Sequence, residues 1–154
     1  MVDDQGVPDG VRHVCFDLDN TLVDDTGNHL RPGVRELLAS LKAHGIELSL
    51  WTGSIEQRAR EILDRHGIQA LFRRCVFRDD YDPAGEGLPK DISCLDADLL
   101  VDDQPYLVEY ARRRGKRGFL ITAFISPRVP VPPDELEQLH RLVLPGVRQS
   151  SKGR

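Results

Sequence analysis

Apolar residues in this chain come in short runs, separated by stretches with a helical rhythm. Five runs read as strands: "HVCFDL" (13–18), "IELSLW" (46–51), "RCVF" (74–77), "DLLVD" (98–102) and "GFLIT" (118–122). Between the first two, "PGVRELLASLKAH" opens on Pro32 and sets Val34, Leu37, Leu38 and Leu41 at i, i+3, i+4, i+7, one face of a helix. Gly45 follows as the residue that ends it. Ser54 and Gln57 have capping-box spacing and open a second helix that stops at Gly67. Pro105 suits the first turn of a helix running to Gly115, and a last helix covers about 134–144 after the proline-rich "SPRVPVPPDE".

Strand and helix alternate with short connections. That order predicts an α/β fold of three layers, Rossmann-like, with a mostly parallel five-stranded sheet covered on both faces. Residues 11–144 read as one domain, and the polar, aperiodic ends at 1–10 and 145–154 as flexible tails. In such a sheet the ligand lies beyond the carboxyl ends of the strands. The polar residues just after each strand therefore carry the most information.

Composition narrows the function without deciding it. The chain has 154 residues, 40% hydrophobic and 30% charged, with a net charge of −4. That balance suits a globular enzyme or binding domain and lacks the basic footprint of a nucleic-acid binder. The arginines of "ARRRGKRG" (111–118) fall at the end of a helix that starts at the active edge, so they complement its C-terminal dipole far from the chemistry. No apolar run approaches the ~18–20 residues that cross a bilayer, and "MVDDQGVPDG" is not a secretory signal, so the expected setting is cytoplasmic. Cys15, Cys75 and Cys94 lack metal-ligand spacing and read as buried, reduced thiols.

After the first strand come Asp17, Asp19, Asn20 and Thr21; after the second, Thr52, Gly53 and Ser54 at a helix start; after the fourth, Asp102 and Asp103. Lys90 precedes that fourth strand in "LPKDIS". Two carboxylates ~4 Å apart repel by about 4 kcal/mol at an effective dielectric of ~20. Four acids at one edge therefore call for positive charge. A lysine and a divalent ion with oxygen ligands supply it, and Mg²⁺ commonly pairs few carboxylates with a substrate phosphate. Amide groups at the helix start behind Thr52 add anion-binding dipoles. The combination describes phosphoryl transfer, in which an aspartate nucleophile is at home.

These residues resemble the haloacid dehalogenase (HAD) superfamily of phosphatases. "DLDNT" looks like its D-x-D-x-T motif, and Thr52 in "LWTGS", Lys90 in "LPKDIS" and "VDDQP" look like its second, third and fourth motifs. "LRPGVRELLASLKAHGIEL", "WTGS", "KDIS" and "VDDQP" are most similar to the small C-terminal-domain and NLI-interacting-factor-like phosphatases, with magnesium-dependent phosphatase-1 close in pattern. The resemblance covers residues 12–122 and implies a HAD core. It implies that Asp17 attacks phosphorus and becomes the aspartyl-phosphate, and that Asp19 serves as acid and then base. Thr52 and the Gly53 amide would hold phosphoryl oxygens, and Lys90 would neutralise phosphate and fix the nucleophile. Asp17, the backbone carbonyl of Asp19, Asp102 and Asp103 would ligate Mg²⁺, with Asp103 the expected direct ligand of the last pair.

Cap domains in this superfamily follow the first motif or the third strand. Only about nine residues separate Leu22 from Pro32, and about a dozen separate Phe77 from Lys90, so no cap domain is expected (the C0 type). The segments Asp24–Arg31 and Arg78–Leu88, with Tyr81, would rim an open site. An open site suits a phosphate displayed on a macromolecule such as a phosphoprotein. Relatives acting on the RNA polymerase II tail carry a longer insertion near the second rim segment, and its absence weighs against that substrate. The alternatives are a small phosphorylated metabolite or a nucleic-acid end phosphate, with the chain a monomer or homodimer. A receiver-type signalling domain has its motifs in a different order and is rejected. A catalytically weak phosphate-binding module is the rival of another class, though every catalytic position is filled.

Overall fold

The computed structural model describes residues 10–147, and the expected tails at 1–10 and 145–154 fall mostly outside them. The strands are β1 (His13–Phe16), β2 (Glu47–Trp51), β3 (Arg74–Val76), β4 (Leu99–Asp102) and β5 (Arg117–Leu120). The helices are α1 (Val34–Ala43), α2 (Glu56–His66), α3 (Arg78–Tyr81), α4 (Pro105–Arg113) and α5 (Glu135–Val143), with 3₁₀ turns at Gln69–Leu71 and Ile92–Leu95. The five strands form one sheet in the order β3-β2-β1-β4-β5. Every pairing in it is parallel. The sheet expected to be mostly parallel is parallel in every pairing, because each crossover returns through a helix or turn instead of a hairpin.

Alternation along the buried strands sorts their side chains between two cores. Val14, Phe16, Leu48, Leu50, Leu99 and Val101 face one side and pack with apolar residues of α1, α2 and α5. Cys15, Trp51 and Leu100 face the other, against Leu107 and Ala111 of α4 and the 92–95 turn. The α1 stripe read from the sequence, Val34, Leu37, Leu38 and Leu41, is buried in full. Gly45 stands just past α1 at φ 82, a left-handed conformation that favours glycine. Gly118 has another reason: a Cβ there would come within 2.6 Å of Val108, so α4 can lie close on β5.

Between β1 and α1 the chain loops over the sheet edge and is pinned from inside by Arg31, which is 2% exposed. Its guanidinium donates to the backbone carbonyls of Thr21 (2.7 Å), Asn20 (3.3 Å) and Thr122. Three carbonyls at a loop crossing thus gain donors from one buried cation, as burial requires. No inserted domain is present among the described residues, and the second rim segment contributes only the single turn of α3. No helix among them is long and apolar enough to cross a membrane.

Two expectations need correcting. Ser54 does not cap α2: the N-cap is Ile55, with no side-chain cap bond, and the first-turn amide of Glu56 donates to Asp79 of α3 at 2.7 Å. Nor are all three thiols buried, since Cys75 is half-buried and Cys94 exposed. Cys15 is buried, and desolvation pushes its thiol well above the ordinary range, which leaves it protonated and unreactive.

Candidate active site

The sheet ends in a cleft of about 480 Å³, lined by Asp17, Asp19, Asn20, Gly53, Ser54, Arg78, Tyr81, Lys90, Asp102 and Asp103 among others. The contributors come from the ends of β1, β2 and β4 and from the segment before β4. Asp17 continues the β1 ladder, its N–H donating to the Val101 carbonyl at 3.0 Å, so the nucleophile candidate stands on the rigid centre of the sheet.

At the floor, Lys90 Nζ donates to Asp17 Oδ1 at 2.9 Å and to Asp102 Oδ2 at 2.8 Å, and all three residues are buried. Asp102 also accepts from the Gln104 amide at 3.0 Å, so both of its oxygens are engaged. Thr21 donates to Asp17 Oδ2 at 3.0 Å, and its hydroxyl lies 3.3 Å from Asp103 Oδ1. One oxygen from each of Asp17, Asp102 and Asp103 falls within 4.8 Å of the others. Three carboxylates against one ammonium leave a formal charge of −2 among them.

The electrostatics register that excess. Burial, then the neighbouring Asp17 charge, raises Asp102 to about 6. Burial and contact with Asp17 raise Asp103 to about 7. Burial works to depress Lys90, but the carboxylates of Asp17 and Asp102 outweigh it and hold the ammonium above its usual range. The donor set fits a divalent cation. It is all oxygen, it is two charges short of neutral, and its oxygens are close enough to close on a small hard ion with contacts of about 2.0–2.1 Å.

Asp19 sits differently. It is half-buried, and its partners come from α2 and the turn before it: Arg58 Nη1 donates to Oδ1 at 2.7 Å and to Oδ2 at 2.9 Å, and Ser54 Oγ donates to Oδ2 at 2.6 Å. The turn that presents it depends on Asn20, at φ 66, whose side chain donates to Asp25 Oδ1 at 2.6 Å and to the Phe124 carbonyl at 3.0 Å. Asparagine tolerates that left-handed conformation better than most residues.

Beside the acids, the Gly53 N–H has no acceptor among the described residues, whereas the Ser54 N–H is taken by Thr52 Oγ1 at 3.0 Å. Thr52 is buried and does not itself line the cleft. The helix start therefore offers fewer free amides than the sequence suggests. On the rim, Asp82 accepts from the amides of Glu86, Gly87 and Leu88 at 2.8, 2.8 and 3.2 Å, which fixes the loop that carries Leu88. Arg78 lines the cleft with a buried Nε that has no hydrogen-bond partner among the described residues. His29 spends its Nδ1 on Asp24 at 2.7 Å, outside the cleft lining.

The structure thus brings Asp17, Asp19, Gly53, Lys90, Asp102 and Asp103 to one cleft, with Thr52 beneath its wall. Sequence reasoning gave no role to Thr21, although it is the last letter of the first motif. It also passed over Arg58, which on a helix with mostly charged faces reads as solvated surface.

Comparison with known proteins gives the same picture. A family model described as NLI interacting factor-like phosphatase matches residues 12–151. No curated protein matches the chain. Solved structures similar in fold include a predicted phosphatase from Clostridium acetobutylicum, at TM-score 0.65 and 15% identity over 88% of this chain and 99% of that one. A hydrolase from Streptococcus pneumoniae aligns at TM-score 0.60 and 15% identity over 74% and 94%. A haloacid dehalogenase-like family hydrolase, also from Streptococcus pneumoniae, aligns at 0.57 and 15% over 83% and 90%. At these identities the likeness speaks for the fold alone. The family model covers nearly all of the chain, and with it the chain belongs to the NLI interacting factor-like phosphatases, phosphoric monoester hydrolases of the HAD superfamily.

Proposed function

We propose that the protein is a Mg²⁺-dependent phosphomonoesterase working through an aspartyl-phosphate on Asp17, with a phosphoprotein as its leading substrate class. The observation that carries this is the buried Asp17–Lys90–Asp102 bridge with Asp103 beside it, two positive charges short of balance at the end of a parallel sheet.

Asp17 attacks phosphorus, forming the Asp17 Oδ–P bond as the P–O bond to the leaving alcohol breaks. Asp19 gives its proton to that leaving oxygen, then takes one from the water that attacks the aspartyl-phosphate, releasing phosphate and restoring the Asp17 carboxylate. Lys90 holds Asp17 in place and Thr21 donates to its second oxygen, so the nucleophile keeps one orientation. The free Gly53 N–H is the donor offered to phosphoryl oxygens at the cleft wall, Thr52 beneath it holds the turn through the Ser54 amide, and Arg78 adds positive charge at the rim. A bound Mg²⁺ would supply charge neutralisation of the phosphoryl group. Asp17, Asp103 and the Asp19 carbonyl would hold it. Asp102, fully buried under Lys90, would support it from behind, and the half-buried Asp103 beside it is the better placed direct ligand.

The macromolecular preference rests on the open cleft, which no inserted domain covers, and on apolar side chains at its rim: Tyr106 is 56% exposed and Leu88 43%. The test is turnover of purified protein on p-nitrophenyl phosphate, phosphopeptides, phosphosugars and end-phosphorylated oligonucleotides, with Mg²⁺ and with EDTA. Metal-dependent release of phosphate, fastest from phosphopeptides, is expected. Phosphate binding without turnover of any ester would favour a binding module instead.

A further inference from the structure

Asp17 and Asp102 share Lys90, whereas Asp19 pairs with a cation outside the four motifs. Arg58 stands one helical turn beyond Ser54 on α2, and Arg58, Ser54 and Asp19 close a triangle: Nη1 to the Ser54 hydroxyl at 2.7 Å, that hydroxyl to Asp19 at 2.6 Å, and Nη1 back to both Asp19 oxygens. Asp19 and Ser54 line the cleft and Arg58 does not, so the guanidinium acts from behind. The helix that carries it is docked on the loop following β1 by Arg65 and His66, which bond the Gly27 carbonyl at 3.2 and 2.8 Å. Arg58 Nη2 reaches the Asp25 carbonyl of the same loop at 3.5 Å. The anchor is therefore a rigid element, not a free surface side chain.

We infer that Arg58, through Ser54, is a positioning residue for Asp19, fixing the carboxylate that exchanges protons with the leaving group and water. The inference rests on the reading of Asp19 as the acid and base. A half-exposed ion pair contributes only about 0–1 kcal/mol to stability, so fold maintenance is a poor account of three interlocked contacts. Orientation is a better one. An aspartate just past a strand end has several rotamers open to it, and proton transfer requires one, within hydrogen-bond reach of the ester oxygen. Because Ser54 directly follows Thr52 and Gly53, the α2 start that offers the phosphoryl donor also sets the acid, and the two are registered to each other.

The dependence of rate on leaving group separates this role from a structural one. A leaving group that departs readily as its anion, such as p-nitrophenolate, needs little proton donation, whereas an alkoxide needs it fully. With Mg²⁺ present, Arg58→Ala should lower kcat/KM, which reports the steps up to transfer onto Asp17, on β-glycerophosphate by about tenfold or more, part of the 10²–10⁴ that acid–base catalysis contributes. It should lower kcat/KM on p-nitrophenyl phosphate by less than about threefold. Arg58→Lys should recover part of the loss, and Arg58→Ala added to Asp19→Asn should cost nothing further. Equal losses on the two esters, or a full additional loss in the double variant, would overturn the inference. A wild-type chain that turns over neither ester would strike the phosphatase reading itself. The crystal structure of Arg58→Ala then decides separately: Asp19 in an unchanged rotamer contradicts the positioning role, and a displaced carboxylate supports it.

Discussion

Asp17 and Asp19 stand one residue apart and occupy opposite kinds of environment. Asp17 is buried on the sheet floor with one lysine, one threonine and two further carboxylates around it, a group short of positive charge. Asp19 is half-exposed on the α2 side, paired with an arginine and a serine. From the sequence alone a lysine and a divalent ion are expected to balance all four acids, and the structure gives Asp19 an arginine of its own. Unequal surroundings are what let identical side chains take unequal tasks, one as nucleophile and one as proton carrier. The floor is built to receive a cation, the α2 side to hold a rotamer.

The sharpest way to break that contrast is to neutralise each acid in turn. Asp17→Asn should lower kcat on p-nitrophenyl phosphate by about 10⁴-fold or more, since loss of a nucleophile is among the most damaging single changes. Its circular dichroism should remain that of the wild type. Asp19→Asn should cost about 10²–10⁴-fold in kcat/KM, with the larger loss on alkyl esters. Comparable losses on good and poor leaving groups would merge the two roles that the structure separates.

A stability comparison comes next. Lys90→Met strands the Asp17 and Asp102 carboxylates in the interior and should destabilise the fold by about 3–5 kcal/mol at neutral pH, read by urea denaturation. Arg58→Ala removes an exposed ion pair and should cost less than about 1 kcal/mol. Similar values for the two would mean that the burial difference has no energetic weight.

The smallest expected effect concerns pH. Asp102 and Asp103 are raised, to about 6 and about 7, above their unfolded values near 3.8. In the folded state they bind protons that the unfolded chain releases, so their contribution favours folding at low pH and fades as pH climbs from about 4 to 7. A divalent cation takes the place of those protons. The rise in Tm on adding Mg²⁺ should therefore be larger at pH 7.5 than at pH 5, about 2–4 °C for each kcal/mol of binding. A Mg²⁺ effect equal at both pH values would place the ion elsewhere.

Much of this was legible in the chain itself. The five apolar runs are strands to within two residues, and β1, β2 and β4 each lead into a helix with a buried stripe. The cleft acids and Lys90 were legible because a parallel sheet delivers strand ends to one edge, whatever the intervening sequence. What escaped reading depends on side-chain direction and not on spacing. Ser54 has the residue type and offset of a helix cap, yet its hydroxyl is drawn to Asp19, while Asp79 on α3 takes over an amide of the first turn of α2. The single turn of α3 is itself too short to show a period. Arg58 lies among Glu56, Arg60 and Glu61 in a run with no mark distinguishing it from solvated neighbours, and only the folded loop after β1 sets it against a carboxylate.

The central claim is that Asp17 carries the phosphoryl group. Protein mixed with p-nitrophenyl phosphate and Mg²⁺, quenched in acid during turnover, reduced with borohydride and digested, reports this by mass spectrometry. An acyl phosphate is reduced to homoserine, so the account predicts that conversion at position 17 and at no other acid. Steady turnover with position 17 unmodified, or the mark on Asp19, Asp102 or Asp103, would contradict it.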